Sequence, residues 1–223
     1  MTGEPRPAEP SPAPRPERIA LYGDDPKLRR RRAISGLVGV VIFGAAFGGV
    51  AGLLGGQLVG LSVAAVVALP LLYLVAYNSR RRLWLEGNTV LVRTFRTRRV
   101  DLVTASAIDL LVTDVRGTRT VSLLVNSGRR GRAVKIDVAV YAGTGGRELG
   151  ILALRGLADA VVNNTSANGI VFSQLLVAQL RAEARGDAAA DRPLYRLASA
   201  APAGKLAQRF SMDAVSRFVA SLE

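Results

Sequence analysis

The 223-residue sequence contains no cysteine and no histidine. Their absence excludes disulfide bonds, zinc sites of the cysteine and histidine kind, cysteine nucleophiles and histidine general bases. Lysine is scarce, with three residues, so the net charge of +13 comes mainly from arginine. Such a basic balance is typical of proteins that meet nucleic acid or an anionic membrane surface, and the positions of the arginines decide between the two.

Charge of either sign is missing from one long segment. Between Ala33 and Ser79 there is no Asp, Glu, Lys or Arg over 47 mostly apolar residues. A membrane-spanning helix needs roughly 20 such residues, so the segment predicts two spans and a turn near Gly55–Gln57. The segment is flanked by arginine blocks: Arg29, Arg30, Arg31 and Arg32 before it, and Arg80, Arg81 and Arg82 after it. The positive-inside rule then predicts a multi-pass cell-membrane protein with two helices and both termini cytoplasmic.

Small residues recur at every fourth position through this segment. The two sets are Gly44, Gly48 and Gly52 on the first predicted helix, and Gly60, Ala64 and Ala68 on the second. They mirror each other about Gly56, so an antiparallel hairpin would bring them face to face. Small residues let helix backbones approach closely in lipid. The alternative is a genomic bias toward glycine, with no packing role.

Proline is concentrated before the apolar segment, with seven of the ten prolines in residues 1–26. Such a segment buries too little apolar surface to offset its ordering entropy. We therefore predict a disordered Pro-rich tail over 1–28 and a two-helix transmembrane hairpin over 29–82. The tail is interpreted as a solvated spacer, with a Pro-rich ligand for a partner domain as the alternative.

The pattern from Leu83 onward changes to short apolar runs separated by turn residues. Gly87–Asn88 predicts a two-residue hairpin turn, and the pattern as a whole predicts six or seven antiparallel strands. "GTGG" at 143–146 is interpreted as a strand-to-helix breaker, and an apolar stripe over 149–161 predicts a capping helix. Residues 164–223 are predicted to be a helical extension, whose last helix docks either on protein or on the membrane.

The segment "RRRLWLEGNTVLVRTFRTRRVDLVTASAIDLL", placed after two membrane helices, resembles actinobacterial membrane proteins with a bacterial pleckstrin-homology-like (PH-like) domain. The resemblance covers roughly Ala33 to Asn163. It implies an α+β membrane protein in which a transmembrane hairpin precedes a small antiparallel β-barrel over 83–163, closed by a C-terminal helix. It carries no catalytic residues to transfer to this chain.

Arginine clusters are the candidate binding residues. The two blocks beside the membrane either bind anionic lipid or only set topology. Three predicted turns carry further arginines: Arg96, Arg98 and Arg99; Arg116 and Arg119; and Arg129, Arg130 and Arg132. Where such turns converge they could hold a phosphate; otherwise they form a solvated rim.

These features predict a membrane-anchored, non-enzymatic scaffold or interaction module. Its cytoplasmic PH-like domain would bind a protein partner or an anionic lipid at the inner leaflet, with the bilayer itself as the first partner. The alternative is a subunit of a membrane complex or transporter without binding activity of its own. No catalytic residue, metal or cofactor is expected, since the sequence has neither a Walker A nor a G-x-G-x-x-G motif. Nucleic acid is not expected, because no recognition helix or paired stacking aromatics occur.

Overall fold

A computed structural model describes residues 18–21, 26–128, 133–143, 145–202 and 206–222 of the chain. The architecture is α+β. Besides two long apolar helices, the described residues form two antiparallel sheets and four shorter helices, of which the first and third in chain order pack on the sheets and the second and fourth on other helices.

The long helices form a hairpin: α1 (Pro26–Gly55) and α2 (Gln57–Arg80) pack against each other and meet at Gly56. Gly56 has a φ of 86°, a left-handed conformation that favours glycine. Ala33–Gly55 and all of α2 are each long and apolar enough to cross a bilayer. In the most apolar stretch of each helix, only a small share is buried in the protein, 17% in the first helix and 6% in the second. The pair therefore exposes its hydrophobic surface instead of forming a core.

The first sheet has four strands in the order in which they occur along the chain: β1 (Arg18–Ala20), β2 (Arg82–Glu86), β3 (Thr89–Arg93) and β4 (Thr97–Asp101). β1 precedes the helical hairpin and β2 follows it, yet the two strands pair antiparallel. Next to this pair, the Leu21 N–H donates to the Leu83 carbonyl at 3.0 Å. The sheet therefore joins the two ends of the hairpin.

β1 corrects the prediction that all of 1–28 is disordered. Apolar residues begin immediately after the dense proline run, and Leu21 is buried in the core cluster. A buried leucine supplies the apolar contact that the proline-rich composition lacks. Residues 26–28 belong to α1, whereas residues 1–17 and 22–25 of the predicted tail lie outside the described residues.

The second sheet has five described strands. In spatial order they are β8 (Gly145–Glu148), β7 (Val134–Ala142), β6 (Thr118–Asn126), β5 (Ala107–Val115) and β9 (Ala207–Phe210). All neighbours pair antiparallel.

The predicted closed barrel is wrong for the described strands, which form two separate sheets. Closing a barrel of consecutive strands would require β4 to pair with β5, and β7 to pair with β2. The edges needed for this are already occupied, since β9 pairs with β5, β8 with β7 and β1 with β2. All three of these additional strands were absent from the sequence prediction.

β8 lies where the "GTGG" segment predicted a break. Its residue Gly146 pairs with Tyr141, and a Cβ at Gly146 would lie 2.2 Å from Cδ1 of that ring. The glycine therefore lets a strand lie beneath an aromatic ring. β9 likewise interrupts the predicted helical extension.

The shorter helices are α3 (Ile151–Val161), α4 (Gly169–Arg185), α5 (Pro193–Ala200) and α6 (Met212–Ala220), with a 3₁₀ turn at Ala189–Asp191. α3 occupies the position predicted for the capping helix and packs on β1 and β2 of the first sheet. α6 packs against α4 and buries Val215 and Val219, so the last helix docks on protein.

One buried side chain connects the α3–α4 turn to the segment between the sheets. The amide nitrogen of Asn164 donates to the carbonyls of Leu102 and Ala105 at 2.7 and 2.9 Å. Its oxygen accepts from the Ala167 N–H at 2.8 Å. Asn164 is 1% exposed, so these three bonds satisfy polar groups that water does not reach.

Candidate membrane-surface site

The arginine-rich segments of the first sheet lie at the hairpin end of the molecule. β2 begins where α2 ends, and β3 runs antiparallel to it, so Arg93 at the end of β3 lies opposite Arg82. The β3–β4 turn, with Arg96, Arg98 and Arg99 in and after it, therefore lies at this same end. Two groups that the sequence predicted separately, the flank block and this turn, are neighbours in the fold.

Phe95, at the tip of the β3–β4 turn, contacts the last two turns of α2. Its ring stacks on Tyr73 with 5.8 Å between ring centroids and lies 6.4 Å from Tyr77. The Arg80 guanidinium lies over the same ring, 5.4 Å from its centroid. These contacts fix the turn against the end of the apolar helix. Phe95 is not among the candidate residues identified from the sequence.

A second contact fixes the other sheet to the same place. Arg81 donates from Nη2 to the backbone carbonyl of Lys135, near the start of β7, at 2.7 Å. The start of β7 and the end of β6 therefore lie toward the hairpin, and the β5–β6 turn with Arg116 lies at the opposite end. The three remaining predicted loop arginines, Arg129, Arg130 and Arg132, lie outside the described residues.

The arginines of the hairpin end have no ion-pair partner among the described residues. Within the described part of the chain, no carboxylate lies within 4.0 Å of the side chains of Arg80, Arg81, Arg82, Arg93, Arg96, Arg98 or Arg99. At the far end, by contrast, Arg119 pairs with Asp114 at 3.2 Å. Like charges directly opposite on neighbouring strands are destabilising, and Arg82 and Arg93 form such a pair. Among the described residues, several arginines without an ion pair are thus grouped beside the apolar hairpin.

The first arginine block lies at the start of α1. Because α1 and α2 run antiparallel, Gly36 near the start of α1 contacts Val75 near the end of α2. Arg30 and Arg31 are exposed there, and Arg29 and Arg32 belong to the same helix. Both flank blocks therefore lie at one end of the hairpin.

The small residues of the hairpin face one another in three pairs. A Cβ at Gly44 would lie 3.5 Å from Ala68 Cβ, and one at Gly52 would lie 3.5 Å from Gly60 Cα. Two positions are tighter. A Cβ at Gly48 would lie 2.6 Å from Ala64 Cβ and 2.9 Å from the Gly60 carbonyl oxygen, and a Cβ at Gly60 would lie 2.7 Å from Gly52 Cα. At these positions an added side chain requires the two helices to shift.

A second polar cluster joins the β7–β8 hairpin to α5. Glu148 accepts from the Tyr141 hydroxyl and from Arg192 Nη1, each at 2.7 Å. Burial, and secondly the hydrogen bond to Glu148, raise the pKa of Tyr141, while that carboxylate raises the pKa of Arg192. Tyr195 packs edge-on against Tyr141 and donates to the Gly143 carbonyl at 3.1 Å. These contacts hold α5 on the second sheet.

The strand aspartates are dispersed among different basic or hydroxyl partners. Asp109 bonds Arg209, Asp114 bonds Arg119, and Asp137 accepts from the Ser122 hydroxyl at 2.7 Å. In the described residues, no group of three or more His, Cys, Asp or Glu is placed to hold a metal ion. Within the part of the chain that the structure describes, the hairpin end combines a group of arginines with an adjoining apolar surface. No protein-family model, no curated protein and no solved structure matches this chain.

Proposed function

We propose that this chain is a membrane-anchored, non-enzymatic interaction module. The helical hairpin spans the bilayer with both termini cytoplasmic, and a PH-like domain follows it. The domain lies against the inner leaflet, where its arginine-rich end binds the anionic lipid surface. The succession of antiparallel strands from β2 to β7, followed by α3, supports a PH-like domain; β1, β8 and β9 are additions to that pattern.

The pairing of β1 with β2 supports the topology. β1 precedes α1 and β2 follows α2, and two strands of one sheet cannot lie on opposite sides of a bilayer. This pairing supports a topology in which both ends of the hairpin emerge on one side. The arginine blocks at this end support the cytoplasmic side, under the positive-inside rule.

The contact of Phe95 with Tyr73 and Tyr77 is the observation that carries the proposal. Tyrosine and other amphipathic rings favour the membrane–water interface, so the contact supports a β3–β4 turn at headgroup depth. Basic residues near such a surface contribute about 1 kcal/mol each. The arginines of this end have no carboxylate partner in the described residues, so they are available to lipid.

Labelling of introduced cysteines tests the topology, since the chain has none of its own. Gln57→Cys lies in the turn region of the hairpin, and Ser221→Cys lies on the exposed end of α6. In intact bacterial cells, we expect a membrane-impermeant maleimide to label the first variant at once and the second only after permeabilisation. Alkaline carbonate should leave both variants in the membrane pellet. Release by carbonate, or labelling of both cysteines in intact cells, would contradict the proposal.

Surface orientation is tested with the full chain reconstituted into nanodiscs. Limited proteolysis should protect the β3–β4 turn in discs containing anionic lipid more strongly than in zwitterionic discs. Addition of salt should remove the difference, because exposed charges more than a Debye length apart are screened. Equal protection in both kinds of disc would mean that the chain is anchored but that its domain does not bind the lipid surface. That result would refute the functional part of the proposal.

A further inference from the structure

A cavity opens between the end of α2 and the first sheet at the arginine-rich end. Its volume is about 560 Å³. Six residues line it. Ser79, Arg80 and Arg82 come from the end of α2 and the start of β2, and Arg93, Thr94 and Phe95 come from the end of β3 and the turn that follows it. The turn is closed by a hydrogen bond of 3.2 Å from the Thr94 N–H to the Arg96 carbonyl.

The ionic groups that line this cavity are all cationic. Each guanidinium offers five N–H donors and no acceptor, so a ligand that satisfies three of them must be rich in acceptors and negatively charged. Arg82 and Arg93 lie directly opposite each other, which in an empty cavity is a repulsion. An anion between them would convert that repulsion into two attractions. Phosphate fits this requirement, because its oxygens accept bidentate bonds from arginine.

The position of the cavity, next to the end of the apolar helix α2, indicates the source of the phosphate. Arg80 is the last residue of α2, whose whole length is apolar enough to span a bilayer. Phe95, which lines the cavity, and Tyr73, on which Phe95 stacks, expose about half of their surface, 51% and 58%. An acceptor-rich group in the cavity would thus have hydrocarbon-compatible rings on one side. A phospholipid has this combination of phosphate and adjoining apolar chain.

We infer that Arg80, Arg82 and Arg93 form a discrete binding site for the phosphate of one anionic phospholipid headgroup, with Phe95 beside the upper acyl chain. This inference rests on the proposed function, because the site requires the hairpin to lie in the bilayer. It goes beyond a general attraction to the leaflet in two ways: it specifies one lipid per chain, and it assigns a role to Arg93, which the flank and loop clusters did not include.

Native mass spectrometry of the purified full chain tests the site. In detergent, the chain is titrated with phosphatidylglycerol or with phosphatidylcholine, whose phosphate carries an adjoining cationic choline. We expect the first phosphatidylglycerol to bind at least about tenfold more tightly than phosphatidylcholine. Arg82→Gln and Arg93→Gln should each weaken it by roughly tenfold, as the loss of a charge-assisted contact predicts. Arg116→Asn removes the same charge at the far end, suits the positive φ there, and should leave binding unchanged.

The same variants provide an independent check on folding. Because each Gln relieves the repulsion between Arg82 and Arg93, the lipid-free variants should melt at the same or a higher temperature than the unmodified chain. Weaker lipid binding together with undiminished thermal stability is the signature of a binding site. If either variant melts lower, Arg82→Lys supplies the second test: it keeps the charge, loses the bidentate geometry, and should still lose part of the preference for phosphatidylglycerol.

Three outcomes would overturn the inference. Equal affinity for the two lipids would exclude selection of an anionic headgroup. Loss of binding in Arg116→Asn as well as in the cavity variants would indicate nonspecific attraction. Displacement of phosphatidylglycerol by millimolar inorganic phosphate would replace the lipid with a soluble phosphate. If the cysteine-labelling and carbonate experiments give the expected results, any of these three outcomes refutes the lipid site alone. Release of the chain from the membrane by carbonate refutes the proposed function.

Discussion

Replacing Gly48 with alanine should weaken the helical hairpin, whereas the same change at the adjacent Gly49 should not. A Cβ at Gly48 would lie 2.6 Å from Ala64 Cβ and 2.9 Å from the Gly60 carbonyl oxygen. Carbon atoms are at their optimal separation at about 3.5–4.0 Å, so the helices must move apart. At Gly49 an added Cβ meets no atom within 4 Å. The two substitutions add the same methyl group one residue apart.

Both substitutions gain helix propensity, up to about 1 kcal/mol, and they differ in the contact that the new methyl group makes. Forcing an extra carbon into a packed contact costs about 1–3 kcal/mol, so Gly48→Ala should leave the hairpin less stable than Gly49→Ala by about that amount. Gly44→Ala should fall between them, since its Cβ would lie 3.5 Å from Ala68 Cβ, an ordinary contact distance. Stability should therefore increase from Gly48→Ala to Gly44→Ala to Gly49→Ala.

The measurement is unfolding of the full chain with SDS in mixed micelles. Fluorophores on cysteines introduced at Leu37 and Leu74, both half-exposed and near the open end of the hairpin, report separation of the helices by energy transfer. Because the chain has no cysteine of its own, labelling is specific. Equal midpoints for Gly48→Ala and Gly49→Ala would refute the close approach, and the glycine run would then reflect composition.

Two further predictions concern the domain, with unfolding followed by the fluorescence of Trp84. Asn164→Ala removes three buried hydrogen bonds and should lower the free energy of unfolding by about 2–4 kcal/mol. The control is Asn163→Ala, which removes a solvent-exposed hydrogen bond and should change the free energy of unfolding by less than about 1 kcal/mol. Equal effects of the two substitutions would contradict the reasoning. The second concerns pH. Tyr141 has a raised pKa in the folded state, so the stability that its proton contributes is complete below about pH 10, the unfolded pKa, and is lost as the pH rises above it. Tyr141→Phe should make the free energy of unfolding less dependent on pH between about 9 and 11, and unchanged dependence would refute that role.

The parts of the fold that follow from local pattern could be predicted from the sequence. The uncharged run gives the hairpin, Gly56 its turn, and Gly87–Asn88 the β2–β3 turn, in which Glu86 and Thr89 pair. Each of these signals lies within a few residues of the feature it predicts. Their physical cause is correspondingly local: hydrophobic length and the freedom of glycine to adopt a positive φ.

The missed strands are stabilised by partners that are distant in sequence. β1 has three residues and pairs with a strand more than sixty residues later. β8 and β9 have four residues each, and their sequences, GGRE and AQRF, do not alternate between apolar and polar residues. Each lies at a sheet edge and gains its hydrogen bonds from an existing neighbour. The barrel was implied by the family resemblance, and without these edge strands nothing in the predicted pairing contradicted it.

The candidate site shows the same division between local and distant signals. Arg80, Arg81 and Arg82 stand out in the sequence as a charged block that ends an apolar run. Arg93 and Phe95 are single residues in a strand and a turn, and nothing in their immediate sequence distinguishes them. Only the register between β2 and β3, together with the end of α2, brings all of them to one cavity.

The position of β1 makes the helical hairpin a template for assembly of the domain. Closing a free chain of about sixty residues to join Leu21 to Leu83 would cost about 4 kcal/mol in conformational entropy. Once α1 and α2 have packed, the start of one and the end of the other are already side by side, and most of that entropy has been lost before the sheet forms. The helical hairpin therefore lowers the entropic cost of completing the first sheet, so that a chain whose α1 and α2 have not packed would assemble that sheet less readily than one whose hairpin has formed.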